Sequence, residues 1–190
     1  MPSEAAAGDR PGARIAGHAS LKARTGHAHD AVDSLFSRFD LGERESYVSF
    51  LLAHARVLPG IEAALRHDCL PPWQPRTGHL AHDLGAFGCG LPVPMEVRAG
   101  PGLARQTGLL YVIEGSRLGG RLLLGRVRPG FSAEFLTAVH EPGAWRAFTR
   151  ALDARAGLEG PAWLEDVLGG ALHGFELYGA AAEALLASAR

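Results

Sequence analysis

The residue best placed for chemistry is His29, in the first helix that the sequence predicts. Val32 and Phe36 follow it by three and seven residues, so the three share one apolar helix face. The neighbouring His27 falls on a more polar face. An inward histidine can bind a metal through one ring nitrogen, and its other nitrogen then needs an acceptor such as Asp33. A core histidine bonded to a backbone carbonyl is the alternative at this point.

A second feature is the run Tyr-Val-Ile-Glu-Gly-Ser-Arg-Leu-Gly-Gly at 111–120. Each glycine inside a helix costs about 1 kcal/mol relative to alanine, so three of them need a reason. Gly115 and Gly119 share one face, with Gly120 beside them. Either a second helix or a flat ligand could approach a face without side chains. A phosphate loop is disfavoured, because no Gly-Lys-Ser/Thr follows and no strand precedes.

Helical spacing dominates the rest of the chain, and strand alternation is almost absent. We therefore predict an all-α fold, a single-domain helical bundle at 18–190, after a disordered tail at 1–17. Pro59-Gly60 is expected to interrupt the helical pattern, and Pro71-Pro72 to mark a loop. The predicted helices cover 21–39, 43–58, 61–65, 77–87, 103–127, 143–155 and 161–188.

Composition narrows the functional classes. The chain has 190 residues, 47% of them hydrophobic, and a formal net charge of −1, which favours neither nucleic acid nor an anionic membrane as partner. The N-terminus lacks the apolar core of a secretory signal, and no apolar run approaches the roughly 20 residues of a membrane span. Two free thiols, Cys69 and Cys89, are favoured over a disulfide. We expect a cytoplasmic protein without nucleic-acid or membrane partners.

Together the two motifs resemble those of the haem oxygenase family, especially the forms found beside bacterial phytochromes. That family places Thr four residues before its axial histidine and an acid four residues after it, and Thr25, His29 and Asp33 match. Its distal helix carries YxxEGSxLGG in the phytochrome-associated branch, which residues 111–120 match. The resemblance covers the chain from about residue 20 to about residue 180.

The resemblance implies that haem is both substrate and cofactor, sandwiched between the His29 helix and a kinked, glycine-rich distal helix. It implies cleavage of haem with O₂, and with electrons from an external reductase or ferredoxin, to biliverdin, CO and ferrous iron. The expected partners are then an electron-donor protein and a bacteriophytochrome that receives the biliverdin.

The resemblance also implies roles for individual residues. His29 would be the axial iron ligand. Lys22, Arg146 and Arg150 would meet the haem propionates, with solvated surface charge as the alternative. Tyr111 could offer its hydroxyl to a propionate. The expected catalytic set is His29, Gly115, Ser116 and Gly119, and the expected cofactor-binding set is Lys22, His29, Tyr111, Gly115, Gly119, Gly120, Arg146, Arg150 and Phe175, the last with ordinary core packing as its alternative.

Ser116 departs from the pattern of many haem oxygenases, which carry Asp one residue after the first distal glycine. That acid organises proton-donating waters, whereas a serine can hold a water but supplies no carboxylate. A non-catalytic haem carrier or sensor on the same fold is therefore an alternative. A non-haem relative would need a catalytic cysteine or clustered Glu and His ligands, and no E-x-x-H pair occurs. A haem-free interaction module is the third alternative.

Overall fold

The computed structural model describes residues 17–66 and 73–188, which contain eight α-helices. No strand occurs in these ranges, so the predicted all-α fold is confirmed. In chain order the helices are α1 (Gly17–Phe36), α2 (Arg44–Ala55), α3 (Leu58–Ala64), α4 (Thr77–Ala86), α5 (Leu103–Leu124), α6 (Glu134–Thr137), α7 (Ala144–Glu159) and α8 (Pro161–Ser188).

The break between α2 and α3 differs from the prediction. The sequence predicts it at Pro59-Gly60, whereas the helical pattern is interrupted at Arg56 and Val57. Pro59 lies in the first turn of α3, where its missing N–H needs no partner and its fixed φ suits a helix. Gly60 has a packing role, because a Cβ there would lie 2.9 Å from Cγ2 of Val97.

Three sequence predictions concern residues outside the described ranges: the tail at 1–16, the thiol of Cys69, and the loop at Pro71-Pro72. Gly17, which the sequence assigns to the tail, is instead the first residue of α1. A Cβ on Gly17 would lie 2.8 Å from Cβ of Ala156, so the start of α1 packs closely on α7. Cys89 is a free thiol.

α5 and α8 form the centre of the bundle and meet at the level of their backbones. A Cβ on Gly108 would overlap the carbonyl oxygen of Val167, and one on Gly170 would overlap that of Arg105. Glycine at both positions therefore allows the two helices to approach closely. α5 itself is one α-helix from Leu103 through its glycines to Leu124.

α1 packs mainly against α8 and α7 and faces α5 across a gap. Arg24 of α1 forms an ion pair with Glu165 of α8 through both guanidinium Nη atoms. At the start of α1, the backbone N–H of His18 donates to Oδ1 of Asp153 on α7 at 2.7 Å. These contacts fix the distance of α1 from the central pair of helices. In the described part of the chain, no helix is long and apolar enough to cross a membrane.

Candidate functional site

A cavity of about 550 Å³ lies between α1 and α5, with side chains of α2, α7 and α8 completing its wall. This volume is typical of small-molecule and cofactor sites. Two parts of the cavity differ in their lining. The Lys22 end is lined by His18, Lys22, Tyr111 and Trp145, and the Tyr178 end by Phe36, Phe50, His54 and Tyr178.

His29 lines the cavity from α1 and His27 does not, which is the difference that helical spacing predicts. Nδ1 of His29 lies 3.4 Å from Oδ1 of Asp30 and 3.5 Å from Oδ2 of Asp33. Two carboxylates thus face one ring nitrogen, which leaves Nε2 for a ligand. Asp30 also lines the cavity beside His29. The ring of Phe175 meets that of His29 edge-on at 6.0 Å and also lines the cavity.

On α5, Gly115 and Gly119 face the cavity and Gly120 does not. A Cβ on Gly119 would meet nothing within 4 Å, and one on Gly115 would meet Trp145 at 3.7 Å. A Cβ on Gly120 would lie 2.7 Å from the carbonyl oxygen of Leu136. The structure therefore places Gly120 outside the wall of this cavity, where it allows α6 to approach α5, and its role towards a ligand stays a prediction.

Of the three predicted basic residues, Lys22 lines the cavity, whereas Arg146 and Arg150 do not. Both arginines are exposed on α7. That helix turns Trp145 and Phe148 inward, where their rings stack with centroids 5.5 Å apart. The structure thus places both arginines outside the cavity wall, because aromatic side chains occupy the face of α7 that meets the bundle, and their role towards the propionates stays a prediction.

Tyr111 is buried beside the Lys22 end, where its hydroxyl is hydrogen-bonded to Thr25. Burial raises the pKa of Tyr111, and the hydrogen bond to Thr25 offsets part of that rise. Oγ1 of Thr25 donates in turn to the carbonyl oxygen of Leu21 at 2.8 Å. The threonine of the first-helix motif therefore supports a phenol group in the cavity wall.

Ser116 lines the cavity and is held by Arg76, a buried arginine that sequence reasoning missed. Nη2 of Arg76 donates to Oγ of Ser116 and to the carbonyl oxygen of Ile113, both at 2.7 Å. Oγ of Ser116 donates to the same carbonyl at 2.8 Å. Burial, with the nearby charge of Arg117, lowers the pKa of Arg76 to about 10, so it stays protonated at neutral pH. A positive charge therefore lies directly behind Ser116.

His54 and Tyr178 place two more polar groups at the Tyr178 end, with ring centroids 5.5 Å apart. Nδ1 of His54 and the hydroxyl of Tyr178 are buried without a hydrogen-bond partner among the described residues. Burial, together with Arg76, lowers the pKa of His54 to about 3, so its imidazole is neutral. Burial also raises the pKa of Tyr178. Because His54 follows Phe50 by four residues, its inward position was readable from the sequence.

A second cavity of about 20 Å³ adjoins the first, and both are lined by His54, Ser116 and Leu123. Arg76 also lines it, and Nε of this arginine has no hydrogen-bond partner within the described ranges. The volume has room for one water molecule, and the wall offers several polar groups to bind it.

Glu114 and Arg117, the charged residues of the glycine-rich motif, do not line the large cavity. Nε of Arg117 lies 2.7 Å from Oε1 of Glu114, whose Oε2 lies 2.9 Å from Nε2 of His140. Nη1 of Arg117 donates to the carbonyl oxygen of Ala138 at 3.0 Å. These two residues therefore fasten the segment after α6 to α5.

The fold and the cavity define a class: all-helical proteins in which a histidine-bearing helix faces bare glycine backbone across a ligand site. No protein-family model matches the chain. It is 34% identical to a haem oxygenase of Xanthomonas campestris pv. campestris (strain 8004) over 142 residues, 68% of this chain and 84% of that protein. Its fold is similar to that of the NO- and CO-bound haem oxygenase from Neisseria meningitidis, with a TM-score of 0.76, 25% identity and coverage of 91% and 93% of the two chains. The chain belongs to the haem oxygenase family.

Proposed function

We propose that this enzyme opens the haem ring with O₂ and electrons from an external donor, and releases biliverdin, CO and ferrous iron. One arrangement carries the proposal. His29, with two carboxylates at its Nδ1, faces the bare backbone of Gly115 and Gly119 across one cavity. The sequence similarity to a haem oxygenase over 84% of that protein's length supports it.

The residues of the cavity fit haem. His29 would hold the iron through Nε2, while Asp30 and Asp33 accept from Nδ1 and increase the basicity of the ring. Gly115 and Gly119 leave room for a flat ring against α5. Phe175, edge-on to His29, would border the same ring.

Haem, when bound, supplies the oxygen and redox chemistry, and the protein supplies orientation and protons. We assign the handling of protons to Ser116, Arg76 and His54. Arg76 stays charged and donates to Ser116, while His54 stays neutral and has a buried Nδ1 without a hydrogen-bond partner among the described residues. All three line the 20 Å³ cavity, so one water there would connect them. The carboxylate of other family members is thus replaced by a hydroxyl backed by a guanidinium.

The experiment is to add haemin to the protein, then a reductant under air, and to follow the absorption spectrum. We expect the Soret band of bound haem to disappear as biliverdin absorption grows, with biliverdin confirmed by mass spectrometry. Bound haem that stays intact under these conditions would contradict the proposed enzymatic function. It would favour the alternative of a non-catalytic haem carrier or sensor, which Ser116 suggested.

His29→Ala tests the iron ligand in the same assay. We expect loss of the wild-type haem spectrum and turnover lower by about 10- to 100-fold, because the iron loses its protein ligand. His27→Ala is the matched control, since His27 is exposed on the same helix and outside the cavity wall. A His29→Ala variant that matches wild type in spectrum and turnover shows that the assignment is wrong.

Three finer expectations stay predictions: a reductase or ferredoxin as electron donor, a bacteriophytochrome as recipient of biliverdin, and a cytoplasmic location. The second of them rests on the phytochrome-associated form of the motif at 111–120. Transfer of biliverdin to a purified bacteriophytochrome, followed by its red absorption, would test the second of these.

A further inference from the structure

The wall that α1 contributes to the cavity changes its charge along the helix. His18 and Lys22 lie one turn apart near the start of α1, and Asp30 and Asp33 lie beside His29 further on. At 1.5 Å per residue, Lys22 and Asp30 are separated by about 12 Å along the axis. A flat ligand with carboxylates on one edge is attracted to the Lys22 end and repelled by the two aspartates.

Among residues 17–66 and 73–188, few cations are available for that edge. Arg146 and Arg150 lie outside the cavity wall, and Arg24 on α1 is already paired with Glu165. Lys22 is exposed, lines the cavity and has no ion pair within residues 17–66 and 73–188. Tyr111 lines the same end, but its hydroxyl is bonded to Thr25, whose own hydroxyl donates to the carbonyl oxygen of Leu21. A ligand with two carboxylates therefore needs a second donor near Lys22 besides Tyr111.

His18 occupies the position for that donor. Its ring lies against Tyr111 at 6.2 Å and edge-on to Trp145 at 5.9 Å, measured between centroids. Its backbone N–H donates to Asp153, which fixes the start of α1 on α7. The imidazole is thus oriented by aromatic contacts, and its ring nitrogens make no hydrogen bond to the described part of the protein.

We propose that His18 is a carboxylate-binding residue that, with Lys22, holds the anionic edge of the ligand. His18 thereby takes, beside Lys22, the role that the resemblance to the haem oxygenase family implies for Arg146 and Arg150. An imidazole donates an N–H to a carboxylate in its neutral form as well as in its charged form. The proposal rests on the proposed function, because it takes haem as the ligand.

His18→Phe tests the proposal, because it keeps a ring against Tyr111 and Trp145 and removes the N–H donors. The probes are haemin and haemin dimethyl ester, which lacks the two anionic carboxylates. We expect His18→Phe to weaken haemin binding by about 3- to 10-fold, as for loss of one charge-assisted hydrogen bond, and to leave the ester unaffected. His18→Gln, which keeps an N–H donor, should bind haemin within about twofold of wild type.

His27→Phe is the matched control: the same substitution on the same helix, at an exposed residue outside the cavity wall. It should leave both affinities at their wild-type values. If His18→Phe weakens the affinity for both probes equally, His18 has a packing role and the proposal is overturned. An unchanged affinity for haemin would also overturn it. Should His18→Phe not fold, as judged by circular dichroism, His18→Leu makes the same comparison.

The two proposals fail in different ways. A wild-type protein that binds neither probe contradicts the proposed function and this inference with it. In the other case, the wild type binds both probes, shows the His29-dependent spectrum and turns haem over. If its His18 variants then do not distinguish the two probes, only the assignment of His18 is refuted.

Discussion

Three polar residues of one cavity are each fixed by a different kind of neighbour. His29 has carboxylates at Nδ1, Ser116 has the guanidinium of Arg76, and His54 lies among aromatic rings. The centroid of the His54 ring is 4.8 Å from that of Phe36 and 4.7 Å from that of Phe50. Their chemistry follows from these neighbours, since the carboxylates orient one imidazole while burial keeps the other neutral.

Ser116→Ala should lower the rate of haem cleavage by about tenfold and leave the affinity for haemin within about twofold, because it removes a hydroxyl that handles protons. Single-turnover kinetics and haemin titration measure the two quantities separately. Ser49→Ala is the control, since Ser49 also bonds a carbonyl of its own helix but lies outside the cavity. An unchanged rate would refute the role given to Ser116.

His54 makes stability depend on pH with a defined sign. Its folded-state pKa is about 3, below the roughly 6.5 of an unfolded histidine. Above pH 6.5 both states are neutral, and below it only the unfolded state takes up the proton, so stability falls as pH falls towards 3. At about 1.4 kcal/mol per unit, this amounts to roughly 2 kcal/mol at pH 5.

Urea unfolding of wild type and His54→Phe at pH 7.5 and pH 5 checks this. We expect the free energy of unfolding of wild type to fall by about 2 kcal/mol more than that of the variant between pH 7.5 and pH 5. His27→Phe, at an exposed position, should lose as much as wild type. Equal losses for wild type and His54→Phe would refute the shift at His54.

The helical period predicts the direction of single side chains from the sequence. It separates His29 from His27, because residues two apart on a helix differ by about 200° in direction. It could not find Arg76, which precedes α4 and reaches Ile113 and Ser116 only through the packing of distant segments. Nor could it show that Arg146 is displaced from the cavity, because that depends on which face α7 turns inward.

At the scale of elements, α5 shows how one helix uses glycine for different contacts. Gly108 meets the backbone of α8, Gly120 meets α6, and Gly119 faces the cavity. The spacing of the glycines predicts close approach but not to which neighbour. The helical period predicted most helices to within about four residues of their bounds. It did not predict α6, which is too short to show a period, or the break before Pro59, because a proline also fits the first turn of a helix.

Gly119→Leu should fold and yet bind haemin at least about tenfold more weakly, because its side chain enters open space within the cavity. Replacing a glycine inside a helix stabilises the folded protein by up to about 1 kcal/mol through helix propensity. Thermal unfolding without ligand and haemin titration measure the two effects.

Gly157→Leu is the matched control, because Gly157 is an exposed helical glycine on α7 where a Cβ would meet nothing within 4 Å. Gly157→Leu should gain the same stability from helix propensity and bind haemin with wild-type affinity. Wild-type affinity in Gly119→Leu would show that haem does not lie against this face of α5.

At the scale of the whole molecule, the cavity lies between α1 and α5, which meet at its Lys22 end, where Tyr111 contacts Thr25 and His18. α1 is fixed to α7 and α8 by Asp153 and Glu165, while α5 belongs to the central pair. A ligand between α1 and α5 therefore adds contacts across the gap. The sequence predicted the bundle and its two key helices, but the cavity exists only through this arrangement.

Haemin at 100 times its dissociation constant should stabilise the protein by about 2.7 kcal/mol. For a chain of this size, that corresponds to a rise in Tm of about 5 to 10 °C. Differential scanning calorimetry with and without haemin measures the shift. Gly119→Leu at the same haemin concentration should show a much smaller rise, and an equal rise in both proteins would place the ligand elsewhere.

The backbone contact between Gly108 and α8 has a consequence for directed evolution. Any side chain at 108 or 170 collides with main-chain atoms of the opposite helix, which cannot move aside as a flexible side chain can. A mutant library should therefore keep both codons fixed. Diversity is better placed at cavity-facing positions without an assigned role, such as Gly26 and Val32 of α1, where substitutions change the cavity wall without separating the two central helices.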